Sequence, residues 1–326
     1  MDYTRAHIDL NELPKVELHC HLLGVISPQL IAKVSQYDAV LVSAADLGQV
    51  LPIRKKEEFQ AAVDMLAPYQ AASWQTYAPI LVYHLESLLK QNVVYAELMI
   101  SPLMFPQEKR EMIASFRQFR QWVDHLEQQQ IQVEFLMVLP RSLPTYKLDQ
   151  NLGQYLELFS EELIVGVAVV GLENGTSIRP LSPALYRFKK AGLGIEVHAG
   201  EHSGPGDVWE ALEYGFADRI GHGIGAFTDP KLLGTLAQQQ IHIEFCLTSN
   251  GCTESVPNWT KHPIRKAKEL GLSFSVNTDD PGLFGCHLTG EFQLAMERYG
   301  FTIADFEAIY TQALAARFSP RLKYLS

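Results

Sequence analysis

Two histidines one residue apart, His19 and His21 in Val16-Glu17-Leu18-His19-Cys20-His21-Leu22, could do metal chemistry together. In an extended segment, residues i and i+2 project to the same side. Both imidazoles can therefore reach one point in space, which a shared metal ion requires. Partners lie far along the chain. His198 and Glu201 close Val197-His198-Ala199-Gly200-Glu201, His222 lies in Arg219-Ile220-Gly221-His222-Gly223, and Asp279 and Asp280 precede Pro281. Taken singly, a histidine at a strand end is ordinarily a hydrogen-bonded structural residue, and Asp-Asp-Pro reads as turn chemistry. Their recurrence at the ends of short apolar runs favours a site. Three imidazoles and a carboxylate are good ligands for zinc or a similar divalent ion.

Something must position these residues. Apolar, β-branched runs at 16–22, 93–101, 133–139, 164–172, 194–199, 218–222, 241–247 and 273–278 make eight candidate strands. They read as near-continuously apolar, as strands covered on both faces do. Amphipathic stretches such as Ser115 to Gln129, Pro183 to Ala191 and Pro230 to Gln239 separate them. Repeated strand–helix units predict a parallel sheet, and eight of them predict an α/β fold closed into a (β/α)8 barrel, one domain over residues 1–326. Such barrels carry their chemistry at the carboxyl ends of the strands. His19, His21, His198, His222 and Asp279 all fall there. Residues 27–92 hold more than one crossover helix, and these extra helices after strand one are expected to cap the barrel mouth. Within them, Phe59, Val63 and Leu66 form an apolar stripe; Leu66 reads as core, whereas Phe59 and Val63 read equally as core or as substrate-facing. Thr302-Ile303-Ala304-Asp305 predicts a helix start with an acidic third position, the helix ending before Pro320.

Composition narrows the partners. The formal charge of −10 argues against a polyanion such as nucleic acid. Cys20, Cys246, Cys252 and Cys286 form no C-x-x-C pair, so neither a disulfide framework nor a thiolate zinc knuckle is indicated. Residues 1–7 lack the apolar core of a signal peptide, and no apolar run approaches a membrane span. The expectation is a cytoplasmic protein of a reducing compartment with no membrane partner. The oligomeric state stays open. His7, His84, His125, His242, His262 and His287 are read as surface or packing residues.

In sequence order, Leu13-Pro14-Lys15-Val16-Glu17-Leu18-His19, His-Ala-Gly-Glu, Arg-Ile-Gly-His-Gly, Thr-Ser-Asn at 248–250 and Asn-Thr-Asp-Asp-Pro resemble the adenosine deaminase family of metal-dependent amidohydrolases. The resemblance covers nearly the whole chain. It implies a zinc-dependent hydrolytic deaminase of an aminopurine, with one zinc ion per chain held by His19, His21, His198 and Asp279. Glu201 would shuttle a proton to the purine N1, and His222 would orient the attacking water and help deprotonate it. Asp280 would face N7, and the backbone N–H of Gly175, in Leu172-Glu173-Asn174-Gly175, would face N3.

Physical chemistry asks for the same parts. Displacing ammonia from an aromatic C6 at neutral pH needs a strong nucleophile, and a zinc-bound water has its pKa lowered from about 15.7 to about 7. Attack at C6 drives charge onto N1, where a carboxylic acid stabilises it. Glu201 then needs a raised pKa, which burial supplies.

Three positions depart from the family pattern. Leu23 stands where adenosine-specific members carry an acid that bonds the ribose 5′-hydroxyl; an unpaired buried hydroxyl there costs roughly 1–3 kcal/mol. Leu247 replaces a proline, which predicts a different loop after strand seven. Met99 replaces an arginine. Leu23 points to substrates altered at the sugar end: free adenine, an N6-substituted adenine, or a nucleoside with an apolar 5′ group. Two other readings compete. One is hydrolysis of a cyclic amide by the same ligands, although two-metal members of that kind use a lysine near the end of strand four, where Val170-Gly171-Leu172-Glu173 offers none. The other is a non-catalytic binding protein on the same barrel.

Overall fold

The structure, a computed structural model, describes residues 9–37, 39–127, 131–173 and 175–319. His7, part of the amino-terminal stretch, Asn174 and the last two residues of the expected 115–129 helix lie outside the described residues.

Eight strands form one sheet in sequence order: β1 Lys15–His21, β2 Val93–Ile100, β3 Gln132–Pro140, β4 Gly166–Val170, β5 Gly194–Ala199, β6 Arg219–His222, β7 His242–Phe245 and β8 Phe274–Val276. Each named pair is parallel. The two edges meet past the end of β8. Cys20 bridges Asp279, the His21 N–H donates to the Asp279 carbonyl at 2.9 Å, and the Asp279 N–H donates to the His19 carbonyl at 2.9 Å. The barrel seam is thus knitted by the backbone of the candidate ligands. This is the expected (β/α)8 architecture, with all eight strands where the apolar runs placed them.

The strands depart from expectation in two ways. β4 stops at Val170 because Gly171 turns to a φ of 105°, and β8 stops three residues short of Asp279, which sits at a φ of 62°. Their interiors are also less apolar than the runs suggested: Glu17, Glu97, Glu134, Glu196, Arg219 and Glu244 are all buried within them. Charges survive there by pairing. Arg219 Nη2 lies 2.5 Å from Glu97 Oε2 and its Nε 2.6 Å from Glu244 Oε1. Below this layer the Phe318 ring packs under the Arg219 guanidinium, 3.6 Å from its centre. Met99 packs beside it with Leu136, Val165 and Ala168, so the residue that departs from the pattern fills barrel interior.

Between β1 and β2 run helices Pro28–Lys33, Ala44–Val50, Lys56–Met65, Ala67–Gln70 and Trp74–Lys90. Ser27 and Ser43 open the first two, each hydroxyl accepting a backbone N–H three residues on. The segment reaches the carboxyl rim of the barrel. The Ile53 N–H donates to the Leu283 carbonyl at 2.9 Å and Arg54 Nη1 to the Phe284 carbonyl at 3.2 Å. Leu66 is buried in the core, as read from sequence, while Phe59 and Val63 are only half-buried. Thr302 and Asp305 form the expected reciprocal cap of helix Ile303–Ala316, a feature worth about 1 kcal/mol.

Candidate active site

His19 and His21 leave β1 toward the carboxyl rim, His198 leaves β5, His222 ends β6, and Asp279 follows β8. The barrel brings all five together. His19 and His198 ring centres lie 4.6 Å apart, His21 and His198 5.2 Å, and His19 and His222 4.9 Å. Asp279 Oδ1 lies 3.6 Å from His19 Nε2 and 3.4 Å from His21 Nε2. Two of these residues adopt a backbone that non-glycine residues rarely take: His222 has a φ of 64° and Asp279 a φ of 62°. Such strain gathers where side chains must be aimed. Gly221 has to be glycine because a Cβ would stand 2.3 Å from Glu196 Oε1 and 2.8 Å from His19 Cε1.

The donor set fits a divalent cation. His19 Nδ1 lies 2.8 Å from Glu244 Oε2 and donates to it, so the Nε2 lone pair is free. Both His19 Nε2 and His198 Nε2 are buried without a hydrogen-bond partner. Two buried acceptors aimed into one space beside a carboxylate are what a metal satisfies, and the Glu244–His19 bond is the outer support that metal-binding imidazoles use. Burial lowers the pKa of His21 to about 4 and that of His198 well below its ordinary value, leaving neutral ligands. Burial opposes charge on Asp279, but the imidazoles of His222, His19 and His21 around it outweigh that and favour the ionised carboxylate. Cys246 also lies near His19 and Asp279. Burial raises its thiol well above the ordinary range.

The two adjacent acids are pushed apart. Asp280 is raised well above the usual carboxylate range by burial and by the charge of Asp279, so it favours its neutral form. Gly24 packs against it so tightly that a Cβ there would overlap the Asp280 carboxyl. Glu201 lies beside His222. Its Oε2 is 3.6 Å from His222 Nε2, and its Oε1 is 3.2 Å from the Thr253 hydroxyl and 3.3 Å from His202 Nε2. Burial raises its pKa to about 7, close to where a group that both takes and gives a proton works best.

The remaining predicted residues sit farther out. Leu23 opens a short 3-10 turn, Leu23–Val25, and is half-buried against the apolar core. Phe59 packs against the same core, whereas Val63 is half-buried outside it. Gly175 is exposed at a φ of 80°. Leu247 opens helix Leu247–Cys252 at the first helical position, where proline is also at home.

Several site residues were not read from sequence. Glu173 is buried, and its carboxylate accepts the backbone N–H groups of Glu201, His202 and Ser203 at 3.0, 2.8 and 2.7 Å. It therefore fixes the loop that carries Glu201. The Ser249 hydroxyl donates to Asp279 Oδ2 at 2.6 Å. His262, read as packing, is buried and bonded to Asn250, which in turn bonds His222. Most of these lie inside or beside motifs already quoted, so proximity in sequence was the available signal; nothing local singles out His262. His84, His242 and His287 keep structural roles: two are buried, and His287 caps helix Leu288–Tyr299.

None of the helices among the described residues is long and apolar enough to cross a membrane, and all four cysteines are free thiols. The adenosine deaminase family model matches residues 14–323. The chain is 29% identical over 310 residues to an adenine deaminase of Rhizobium leguminosarum bv. trifolii, covering 94% of this chain and 95% of that one. It is 31% identical over 315 residues to an adenosine deaminase of Vibrio cholerae, covering 90% and 89%. An amidohydrolase of Burkholderia ambifaria, solved with bound zinc, superposes with a TM-score of 0.82 at 21% identity over 97% of this chain and 90% of that one. The chain therefore belongs to the adenosine deaminase family and is a hydrolase of carbon–nitrogen bonds other than peptide bonds.

Proposed function

We propose that the protein is a zinc-dependent deaminase of adenine-type rings whose sugar end differs from that of adenosine. The single observation that carries the chemistry is the buried pair of unpartnered imidazole nitrogens, His19 Nε2 and His198 Nε2, beside an ionised Asp279 and a Glu201 raised to about 7. His19, His21, His198 and Asp279 would hold one zinc ion. That ion would supply a water activated for attack at neutral pH.

The chain's own groups do the rest. Glu201 takes one proton from the attacking water as the C6–O bond forms, and the displaced ring electron pair moves to N1. Glu201 then protonates N1. When the C6–N bond breaks, the remaining hydroxyl proton leaves with ammonia or, from an N6-substituted ring, an amine. A neutral Asp280 carboxyl can donate to N7, which is only an acceptor; this fits its raised pKa. The Gly175 N–H is the candidate donor to N3, and His222 orients the water.

At the sugar end, Leu23 offers no acceptor and is backed by apolar core. Phe59 and Val63 are the nearby candidates for an apolar wall. Free adenine, N6-substituted adenine and nucleosides with an apolar 5′ group satisfy this end better than a free 5′-hydroxyl. Ammonia or amine release from a panel of these compounds and adenosine, with zinc-loaded protein, is the test. A wide preference for adenosine over all of them defeats the altered sugar end, and hydrolysis of cyclic amides alone defeats the deaminase assignment.

A further inference from the structure

We propose that His262 and Asn250 set the ring proton of His222 on Nε2, so that His222 meets the attacking water as a hydrogen-bond donor and not as its base. The series starts outside the cavity. The backbone N–H of Ile264 donates to His262 Nδ1 at 3.1 Å. A ring nitrogen that accepts this bond carries no proton, so the neutral His262 ring keeps its proton on Nε2. That Nε2 lies 3.2 Å from Asn250 Oδ1 and donates to it. The amide is thereby oriented, oxygen toward His262 and NH2 toward His222.

Asn250 Nδ2 lies 3.2 Å from His222 Nδ1. An amide nitrogen donates and does not accept, so His222 Nδ1 must be the acceptor and bare. The ring proton then sits on Nε2, the nitrogen that lies 3.6 Å from Glu201 Oε2 and shares the cavity with His19 and His198. All three links are shielded from solvent: Asn250 is 0% exposed, His222 1% and His262 4%. The rings of Phe245 and Tyr299 pack on His262, centroids 5.2 and 5.7 Å away, and Asn250 is held within the buried helix Leu247–Cys252.

A ring with its proton on Nε2 cannot take the proton that water loses. That proton goes to Glu201 and on to N1, while the His222 Nε2–H steadies the oxygen as it bonds C6. His262 and Asn250 touch neither substrate nor reacting atoms; they are positioning residues. The catalytic meaning rests on the deaminase reading above, whereas the proton assignment does not.

The test is nuclear magnetic resonance of zinc-loaded protein with 15N-labelled histidine rings. Ring 1H–15N correlations separate the Nε2–H, Nδ1–H and doubly protonated forms, and the His222 signals are those lost in His222→Gln. The expected wild-type form is Nε2–H. In Asn250→Asp a carboxylate accepts from both rings, and His222 should change to Nδ1–H while deamination falls roughly 100-fold, the upper range for loss of a supporting partner. His262→Gln, whose amide can donate to Asn250, should retain Nε2–H; His262→Phe should give a mixture. An Nδ1–H or doubly protonated His222 in the wild type overturns the proposal, as does an unchanged form in both Asn250→Asp and His262→Phe. The wild-type spectrum needs no substrate, so its outcome is separate from that of the substrate panel.

Discussion

The two ends of the candidate cavity are built differently. The metal end is made of strand termini. His19, His198, His222 and Asp279 are buried, each continues a parallel strand or its closing bridge, and His19, His222 and Asp279 have partners behind them in Glu244, Asn250 and Ser249. The mouth end is made of appended pieces: a short 3-10 turn carrying Leu23 and a helix carrying Phe59 and Val63, all three side chains half-buried, with Arg54 just before that helix donating to the Phe284 carbonyl. A strand terminus cannot shift without moving its neighbours in the sheet, whereas a helix lying over the rim can change its side chains freely. On the proposed reading, the difference separates the two properties: chemistry at the strand ends, selectivity on what was added after β1.

Substitutions at the metal end should do the most damage. His198→Ala removes a buried ligand, and metal analysis should find most of the zinc gone along with all measurable turnover; a full complement of zinc would exclude His198 as a ligand. Glu201→Gln should keep its zinc yet lose roughly 100- to 10,000-fold in turnover, the usual worth of a positioned acid–base group. Near-normal rates in that variant would end its role as proton carrier. Glu173→Gln tests the support behind it. An amide cannot accept all three backbone N–H groups, so turnover should drop by about 10- to 100-fold with zinc retained, and an unaffected rate would show that the loop holds itself.

Smaller changes belong to the mouth. Leu23→Asp restores an acceptor at the sugar end and should raise kcat/KM for adenosine by roughly 5- to 150-fold relative to free adenine, the equivalent of 1–3 kcal/mol. If the ratio of the two substrates does not move, the mouth does not select at this position.

Much of the metal end was legible in the chain. A His-x-His pair on an extended run, His198 and His222 at the ends of later runs, and an Asp-Asp-Pro after the last are local patterns, and the periodicity that predicts parallel strands also predicts which ends converge. The strand count and the Thr302 cap were readable for the same reason: side-chain period and capping chemistry are properties of a few consecutive residues. The buried acids and Arg219 inside the strands were misread as part of apolar runs, since a charge in a strand looks like a surface residue until its partner across the barrel is known. His262 was missed because its importance comes entirely from Asn250 and Ile264, a contact that no spacing rule announces.

By itself, then, the sequence determined the alternation of strand and helix and the place of the candidate ligands at strand ends, because these follow from periodicity within short windows. Only the tertiary structure decided that the backbone of Asp279 closes the barrel on His19 and His21, that Glu173 holds the Glu201 loop, and that adjacent Asp279 and Asp280 are shifted in opposite directions. Each of these depends on burial and on charges brought close from opposite ends of the chain, and Coulomb and desolvation energies are set by distance in space, not by distance along the polypeptide.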